Sequence, residues 1–498
     1  MVNNTLAPRT WLRLVAALMV FSTAFLTSGA SPAVADDELL KYVPPGANAL
    51  VVIDVDSLLR SRMGISEGWG DRSKLEYSER PILVPPEAQT AVVAAQLDAG
   101  NQLARVWELA VLRLKEEVAL DHIARTEGGY VDTINETQVV WTPSEAFIVD
   151  LGAPELGIVY PADRQYVSRW AGFARSNQTP VISEYLKAAA DQVSPTAQIV
   201  MALDLLDAPD PHRIETALST SETLAGNQKR QEQLAPIITG IRGITLTIHV
   251  STQARGVLRL DFSDDVAPFS VQAKPLVLEA LDRFGAHIPD MDIWVTRTEG
   301  QTIEMEGVFS ESGLRRITSL LEVPTQKFSE LHDDQPAEEG SDDYTSASLA
   351  YYRGVKALLD DLRETLSDER DNQALWMERF ARKVDAMPIL NVDDELLDWG
   401  ATVGETFRSM GLAVRQSGIR GGVRTSQARG SDNRYYGGYS NYGRYGYYVG
   451  DDSQSRTNVI RAEERGQERM SRYENWNELE NATADIRRRM TQKYGVEF

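Results

Sequence analysis

Apolar positions are densest at Ala47–Leu59, ANALVVIDVDSLL, a valine-rich run that closes on two aspartates. An unbroken run of that length predicts a strand over Ala49–Val55 that is buried on both faces. Pro44-Pro45-Gly46 turns the chain into it, and Asp56 or Ser57 caps a short helix through Leu58 and Leu59. A second run of the same character, TAQIVMALDLLDAP, lies at Thr196–Pro209.

Similar patterns follow each run in the same order. After the first, Thr90–Leu97 and Leu103–Leu114 predict a hairpin across Asp98-Ala99-Gly100-Asn101. Glu116–Thr126 reads as a helix stopped by Gly128-Gly129, and Val131–Trp141 and Ala146–Asp150 as strands before a helix over Arg164–Ala174. After the second run, Pro211–Leu224 and Gln231–Thr239 read as helices. Gly243–Val250 and Gly256–Phe262 read as a hairpin, because Ile244, Leu246, Ile248 and Val250 alternate with polar residues. Asp264–Phe284 is then a helix, Met291–Thr298 and Thr302–Phe309 a second hairpin, and Glu311–Leu321 a closing helix. The order predicts an α+β fold: two similar units of antiparallel sheet with helices on one face.

Beyond residue 326 the period changes. The stretch 327–343 contains HDDQPAEEGSDD and reads as an acidic linker. Residues 344–416 carry helical stripes, with Leu349, Tyr352, Leu359 and Leu362 on one face, then Trp376, Phe380 and Val384, then Leu396, Val403, Phe407 and Met410. The stretch 417–455 is rich in Tyr, Gly and Arg and too poor in aliphatic residues to offset the entropy of ordering, so it is expected to be disordered. A C-terminal amphipathic helix over 456–498, with Trp476, Leu479, Ile486 and Met490 near one face, docks on its own body or forms a coiled pair. The expected units are thus 36–177 and 178–326, preceded by residues 1–35.

Those first 35 residues read as a signal peptide. Arg9 and Arg13 precede the apolar stretch Leu14–Leu26, and Ala33-Val34-Ala35 supplies a cleavage site before Asp36. No later segment has the roughly 18 consecutive apolar residues of a membrane span, so no transmembrane segment is expected after cleavage. The expected location is the periplasm or cell envelope, or outside the cell. The chain has no cysteine, which excludes disulfides, thiolate metal sites and a Cys nucleophile.

Charge divides the mature chain. Residues 36–407 carry a net −29 and residues 408–498 a net +5, almost all of the latter's cations being Arg. The acidic body argues against nucleic acid as a partner.

Candidate chemistry is sparse. Asp54 and Asp56, two apart at a strand end, share a face in a strand and are the weak candidates for a catalytic pair. Glu108 is one of many acids that a glycosidase reading could invoke. The five histidines stand in separate elements without a ligand spacing, and no GxSxG, Walker loop or GxGxxG opening a helix is present. No cofactor or metal is expected. The candidate binding residues lie in the tail: Arg434, Tyr435, Tyr436, Tyr439, Tyr442, Arg444, Tyr445, Tyr447 and Tyr448. Arginine over a tyrosine face is worth about 0.5–1 kcal/mol at an exposed site, enough in multiple copies to hold an anionic envelope polymer or another copy of the chain.

Two strings carry a resemblance. YVPPGANALVVIDVDSLLRSRMG, followed by Gly68-Trp69, and FARKVDAMPILNVDDELLDWGATV at Phe380–Val403 resemble an uncharacterised group of exported proteins from planctomycete-type bacteria. The resemblance implies envelope localisation and a two-unit α+β body, and it brings no known activity. The function expected is an exported, non-enzymatic envelope scaffold or binding protein; the alternative is a carboxylate-dependent hydrolase acting on an envelope polymer.

Overall fold

The structure is a computed structural model that describes residues 37–70, 85–101, 103–143, 145–318, 338–365, 373–385, 387, 391–431, 436–440, 443–447 and 453–498, the backbone alone between 415 and 473. The expected signal peptide and most of the expected acidic linker lie outside the described residues.

Twelve strands form one antiparallel sheet. The first unit supplies β1 (Ala49–Asp54), β2 (Ala88–Asp98), β3 (Ala104–Leu114), β4 (Tyr130–Ile134), β5 (Thr137–Thr142), β6 (Ala146–Asp150) and β7 (Glu155–Tyr160). The second supplies β8 (Ile199–Asp204), β9 (Ile241–Val250), β10 (Ala254–Phe262), β11 (Val295–Glu299) and β12 (Thr302–Val308). The spatial order is β11-β12-β10-β9-β8-β1-β2-β3-β7-β6-β5-β4. The two opening strands meet in the middle, with Ala49 opposite Leu203 and Ile53 opposite Ile199. On either side the chain meanders through three strands, and the last strand of each unit pairs with its third. The matching order read from the sequence is therefore a matching topology about the β1–β8 seam.

Side chains alternate between two cores. Val51, Ile53, Val93, Leu112, Ile158, Ile199, Ile248 and Leu258 face one way; Leu50, Val52, Val92, Leu109, Val111, Val159 and Val200 face the other. The first face is covered by short helices that recur in both units: α2 (Val55–Leu59), α3 (Arg62–Ser66) and α4 (Leu120–Glu127) in one, α7 (Pro211–Ser219), α8 (Gln228–Thr239), α9 (Ala273–Arg283) and α10 (Glu311–Thr318) in the other. Trp69 is buried in the same core. Helices are not confined to that face. The second face of the first unit is covered by α1 (Asp37–Leu40) with Tyr42 and Val43, by α5 (Arg164–Ser176) and by α6 (Glu184–Ala190). The reason is in the strands: β1, β6 and β7 each carry at least four consecutive buried or apolar positions, on both faces, with their acids only at the ends, so both of their faces need cover.

Glycines in strands make room for the aromatic anchors of this cover. A Cβ on Gly157 would lie 2.3 Å from Trp170 of α5, and one on Gly243 would lie 2.3 Å from Tyr185 of α6. Trp170 Nε1 also donates to the carbonyl of Tyr42 at 2.8 Å.

The helical region consists of α11 (Asp342–Thr365), α12 (Gln373–Asp385) and α13 (Asp394–Ser431), with α14 (Ser453–Tyr494) closing the chain. They share a third core in which Leu349, Tyr352, Phe380, Val403 and Phe407 meet Trp476, Leu479, Ile486, Met490 and Phe498. The C-terminal helix thus docks on its own chain. Contacts between Glu395 and Arg489 and between Phe407 and Trp476 make α13 and α14 antiparallel. Helix α13 passes the expected boundary near Gln416 and ends at Ser431. Within the segment expected to lack fixed structure, β13 (Tyr436–Ser440) pairs with β14 (Gly443–Tyr447) as a separate two-stranded sheet.

Substituting Gly157→Ala should destabilise the protein by about 1–3 kcal/mol, because Trp170 must leave its slot or the helix must shift. A lower urea midpoint at unchanged slope is the expected reading.

Candidate functional site

Asp54 is the last residue of β1, and Asp56 already lies in the first turn of α2. The alternation that places residues two apart on one face of a strand therefore does not apply to the pair. The Asp54 N–H donates to the Gln198 carbonyl at 2.8 Å, which extends the seam to the strand's end. Its Oδ1 accepts from the Ser57 N–H at 2.9 Å. Asp54, not Asp56 or Ser57, is the helix cap. Asp56 pairs with Lys115 at 2.8 Å through Oδ1 and with Arg60 at 3.6 Å through Oδ2. In the second unit, Asp204 Oδ1 accepts from the Leu206 N–H at 3.0 Å, a turn contact. Glu108 is buried beside Arg105, whose guanidinium also sits 4.2 Å from the centre of the Tyr160 ring. These acids are held by cap, turn or ion-pair contacts in separate places. Among the described residues no group of three or more His, Asp or Glu is arranged to hold a metal.

A cleft of about 340 Å³ opens on the first unit, with Leu114, Val118, Asp121, Val131, Asp150 and Glu155 among its walls. Its Glu155 accepts from Arg113 Nη2 and from the Tyr42 hydroxyl, both at 2.6 Å. Burial, then the bond to Glu155, holds the Tyr42 phenol well above the usual tyrosine range. Neither Asp54 nor Asp56 lines the cleft, and its walls carry no Ser, Thr, His or Lys. It can seat an apolar group beneath an acidic rim of Glu117, Asp121, Asp150 and Glu155.

The nine tail candidates fall in and around the ribbon. Tyr436 and Tyr439 are on β13, opposite Tyr447 and Arg444; Tyr445 lies opposite Gly438. Arg434, Tyr435, Tyr442 and Tyr448 lie outside the described residues.

Two polar clusters fasten the helical region, and periodicity gave no sign of them. At the seam with the second unit, Arg315 of α10 grips Asp361 of α11 with Nε at 2.5 Å and Nη2 at 3.0 Å. Arg316, 1 % exposed, donates to the Asp361 carbonyl at 2.9 Å. Lys383 of α12 donates to the Arg315 carbonyl at 2.8 Å, and burial pushes its ammonium down to about 8 despite the nearby Asp361 carboxylate. At the other end, buried Asp393 accepts from Lys493 at 2.7 Å and from the Tyr494 hydroxyl at 2.5 Å. Sequence alone marks such residues only as charges that break an apolar stripe.

No family model matches the chain, and no curated protein matches it. Among solved structures the chain is similar to the structure of crystal form I of TP0453, at 12 % identity and a TM-score of 0.33 over 57 % of this chain and 97 % of that one. A likeness at that score carries no argument about fold or function.

Asp54→Ala should cost about 1 kcal/mol through the lost cap, and Asp56→Asn about 0–1 kcal/mol through a partly exposed ion pair, both read from urea midpoints. Lys383 binds its proton more weakly folded than unfolded, so the unfolded chain holds more protons between pH 8 and 10.5. Stability should therefore rise with pH across the lower part of that window, before buried tyrosines such as Tyr42 and Tyr185, with raised pKa values, reverse the trend above pH 10. A Lys383→Met variant should lose the rise while keeping the later fall, measured by urea unfolding at stepped pH.

Proposed function

We propose that this protein is an exported, non-enzymatic scaffold or binding protein of the cell envelope, with an acidic sheet body and a helical arm that presents the Tyr/Gly/Arg ribbon to a partner. The observation that carries this reading is the division of labour among the candidate residues. Asp54 and Asp56 are spent on a helix cap and an ion pair within the body. The ribbon, by contrast, is set between the far ends of two helices of 38 and 42 residues, and it belongs to neither unit's sheet. At 1.5 Å per residue those helices are about 57 and 63 Å long.

Charge supports an anionic envelope polymer as the partner. Arg415, Arg420, Arg424 and Arg429 follow one another along the outer part of α13 with no acidic residue between them, in a chain whose body is strongly negative. Contacts of this kind weaken as salt screens them, with a Debye length of about 8 Å at physiological ionic strength. The leader at 1–35 and the two resemblance strings support export.

The test is co-sedimentation with envelope fractions at low and high salt. It compares the mature chain with a variant in which residues 432–450 are replaced by a short Gly/Ser turn, which retains α14 and its place in the core. The mature chain should sediment at low salt and be released at high salt, while the variant stays in solution. Equal sedimentation of both forms would move the binding surface to the body, and failure of both would sink the envelope reading. Turnover of an envelope polymer that disappears in the Asp54→Asn/Asp56→Asn double variant would establish the hydrolase instead.

A further inference from the structure

The ribbon of β13 and β14 pairs with no third strand among the described residues. A lone two-stranded sheet is marginal in water, and its outer edges offer backbone N–H and C=O groups to any strand within reach. Register says which groups these are. Ser440 lies opposite Gly443 across a two-residue connection, and Gly438 lies opposite Tyr445. In such a hairpin the pair beside the turn, and every second pair beyond it, exchange hydrogen bonds inwards. The backbone groups of Gly437 and Tyr439 therefore point outwards from β13, and those of Arg444 and Gly446 point outwards from β14. Exposed edges are commonly blunted by lysine, proline or other charge. The sequence of β13, YGGYS, has no charge and no proline.

We infer that β13 is a dimerisation edge: two copies of the chain join tip to tip by antiparallel pairing of β13 with β13, forming a four-stranded sheet about a two-fold axis through Gly438. Self-complementarity selects this occupant. Antiparallel pairing centred on Gly438 sets Gly437 of each copy opposite Tyr439 of the other, so outward donors meet outward acceptors in two reciprocal rungs. Each of these rungs joins a tyrosine position to a glycine position, an arrangement that suits exposed strands with glycine. Pairing through β14 would instead bring Arg444 close to its own copy, which is unfavourable. The mount permits the encounter. Ser431 lies about 25 Å along α13 beyond Val414, at 1.5 Å per residue, and Val414 is the outermost α13 residue packed on the helical core among the described side chains. That distance exceeds the Debye length at physiological salt, so the two acidic bodies repel each other little. The inference concerns association between copies and stands independently of the export and envelope reading.

The chain contains no cysteine, so single introduced thiols report proximity cleanly. In the full-length chain Gly438→Cys would face its own copy at a non-hydrogen-bonded rung, within the Cα separation that a disulfide spans. Under mild oxidation it should form a covalent dimer at least roughly tenfold faster than Gly446→Cys on β14. Sedimentation velocity should show a concentration-dependent dimer for the natural chain. Tyr439→Thr, which keeps the outward N–H, should retain the dimer; Tyr439→Pro, which removes that N–H and leaves the inward bonds of the ribbon, should be monomeric. A natural chain that stays monomeric, equal crosslinking at 438 and 446, or a dimer that survives Tyr439→Pro would each overturn the proposal.

Discussion

The structure depends on the pairing of β1 with β8. Each is the opening strand of its unit, and each would otherwise be an edge with bare N–H and C=O groups. For β1 that edge would also be apolar on both faces, since Leu50 and Val52 enter one core and Val51 and Ile53 the other. Joining the two strands removes the hazard and makes one sheet of two units. Gln198 locks the end of the seam: its carbonyl takes the Asp54 N–H, its Oε1 accepts from the Val250 N–H at 2.8 Å, and its Nε2 donates to the Val250 carbonyl at 3.1 Å. Asp54 is thereby fixed where its carboxylate caps α2. The residue that looked most like chemistry is part of the joint between the units.

This explains what could be read from the chain and what could not. The hairpins of the second unit were legible because Ile244, Leu246 and Ile248 alternate with threonines, a pattern only a half-buried strand satisfies. The exact cap at Asp54 was not, because Asp54, Asp56 and Ser57 are all good capping residues. What decides among them is a carbonyl just before β8, 144 residues away in sequence. The reach of α13 to Ser431 was hidden for a related reason. RQSGIRGGVRTSQARGS, the stretch from 415 to 431, holds four glycines, each costing about 1 kcal/mol in a helix relative to alanine. Local propensity argues for a break there, and an antiparallel neighbour in α14 is not visible to a local pattern.

The helical region is bound to the sheet body by a different physics from that within either. Its core of Phe380, Phe407 and Trp476 is separate from the two cores of the sheet. Beside the apolar approach of Leu375 to Gly285, charged contacts join them: Arg315 and Arg316 on Asp361, Lys383 on the Arg315 carbonyl, and Arg379 on the carbonyl of Gly285. Buried pairs of this kind give little net stability, since desolvation offsets most of their attraction, but breaking one partner is costly. They therefore fix where the helices sit more than they fix how firmly.

The two units share a topology yet differ on one face, and the strands themselves encode the difference. In the first unit the second face is covered by α5 and α6. In the second unit, Thr245 and Thr247 bond Tyr185 of α6 and Gln192 beyond its end, and farther out the face becomes polar: Arg259 lies opposite Glu304, which lies opposite Arg297, and Arg297 also pairs with Glu306 at 2.7 Å. An apolar cover over that ladder would bury charge without compensation. The alternation of β9, β10 and β12 thus requires only one layer of helices, where the unbroken apolar runs of β1, β6 and β7 require two. Two units can share a strand order while the period of their apolar residues decides, strand by strand, how many of their faces must be covered.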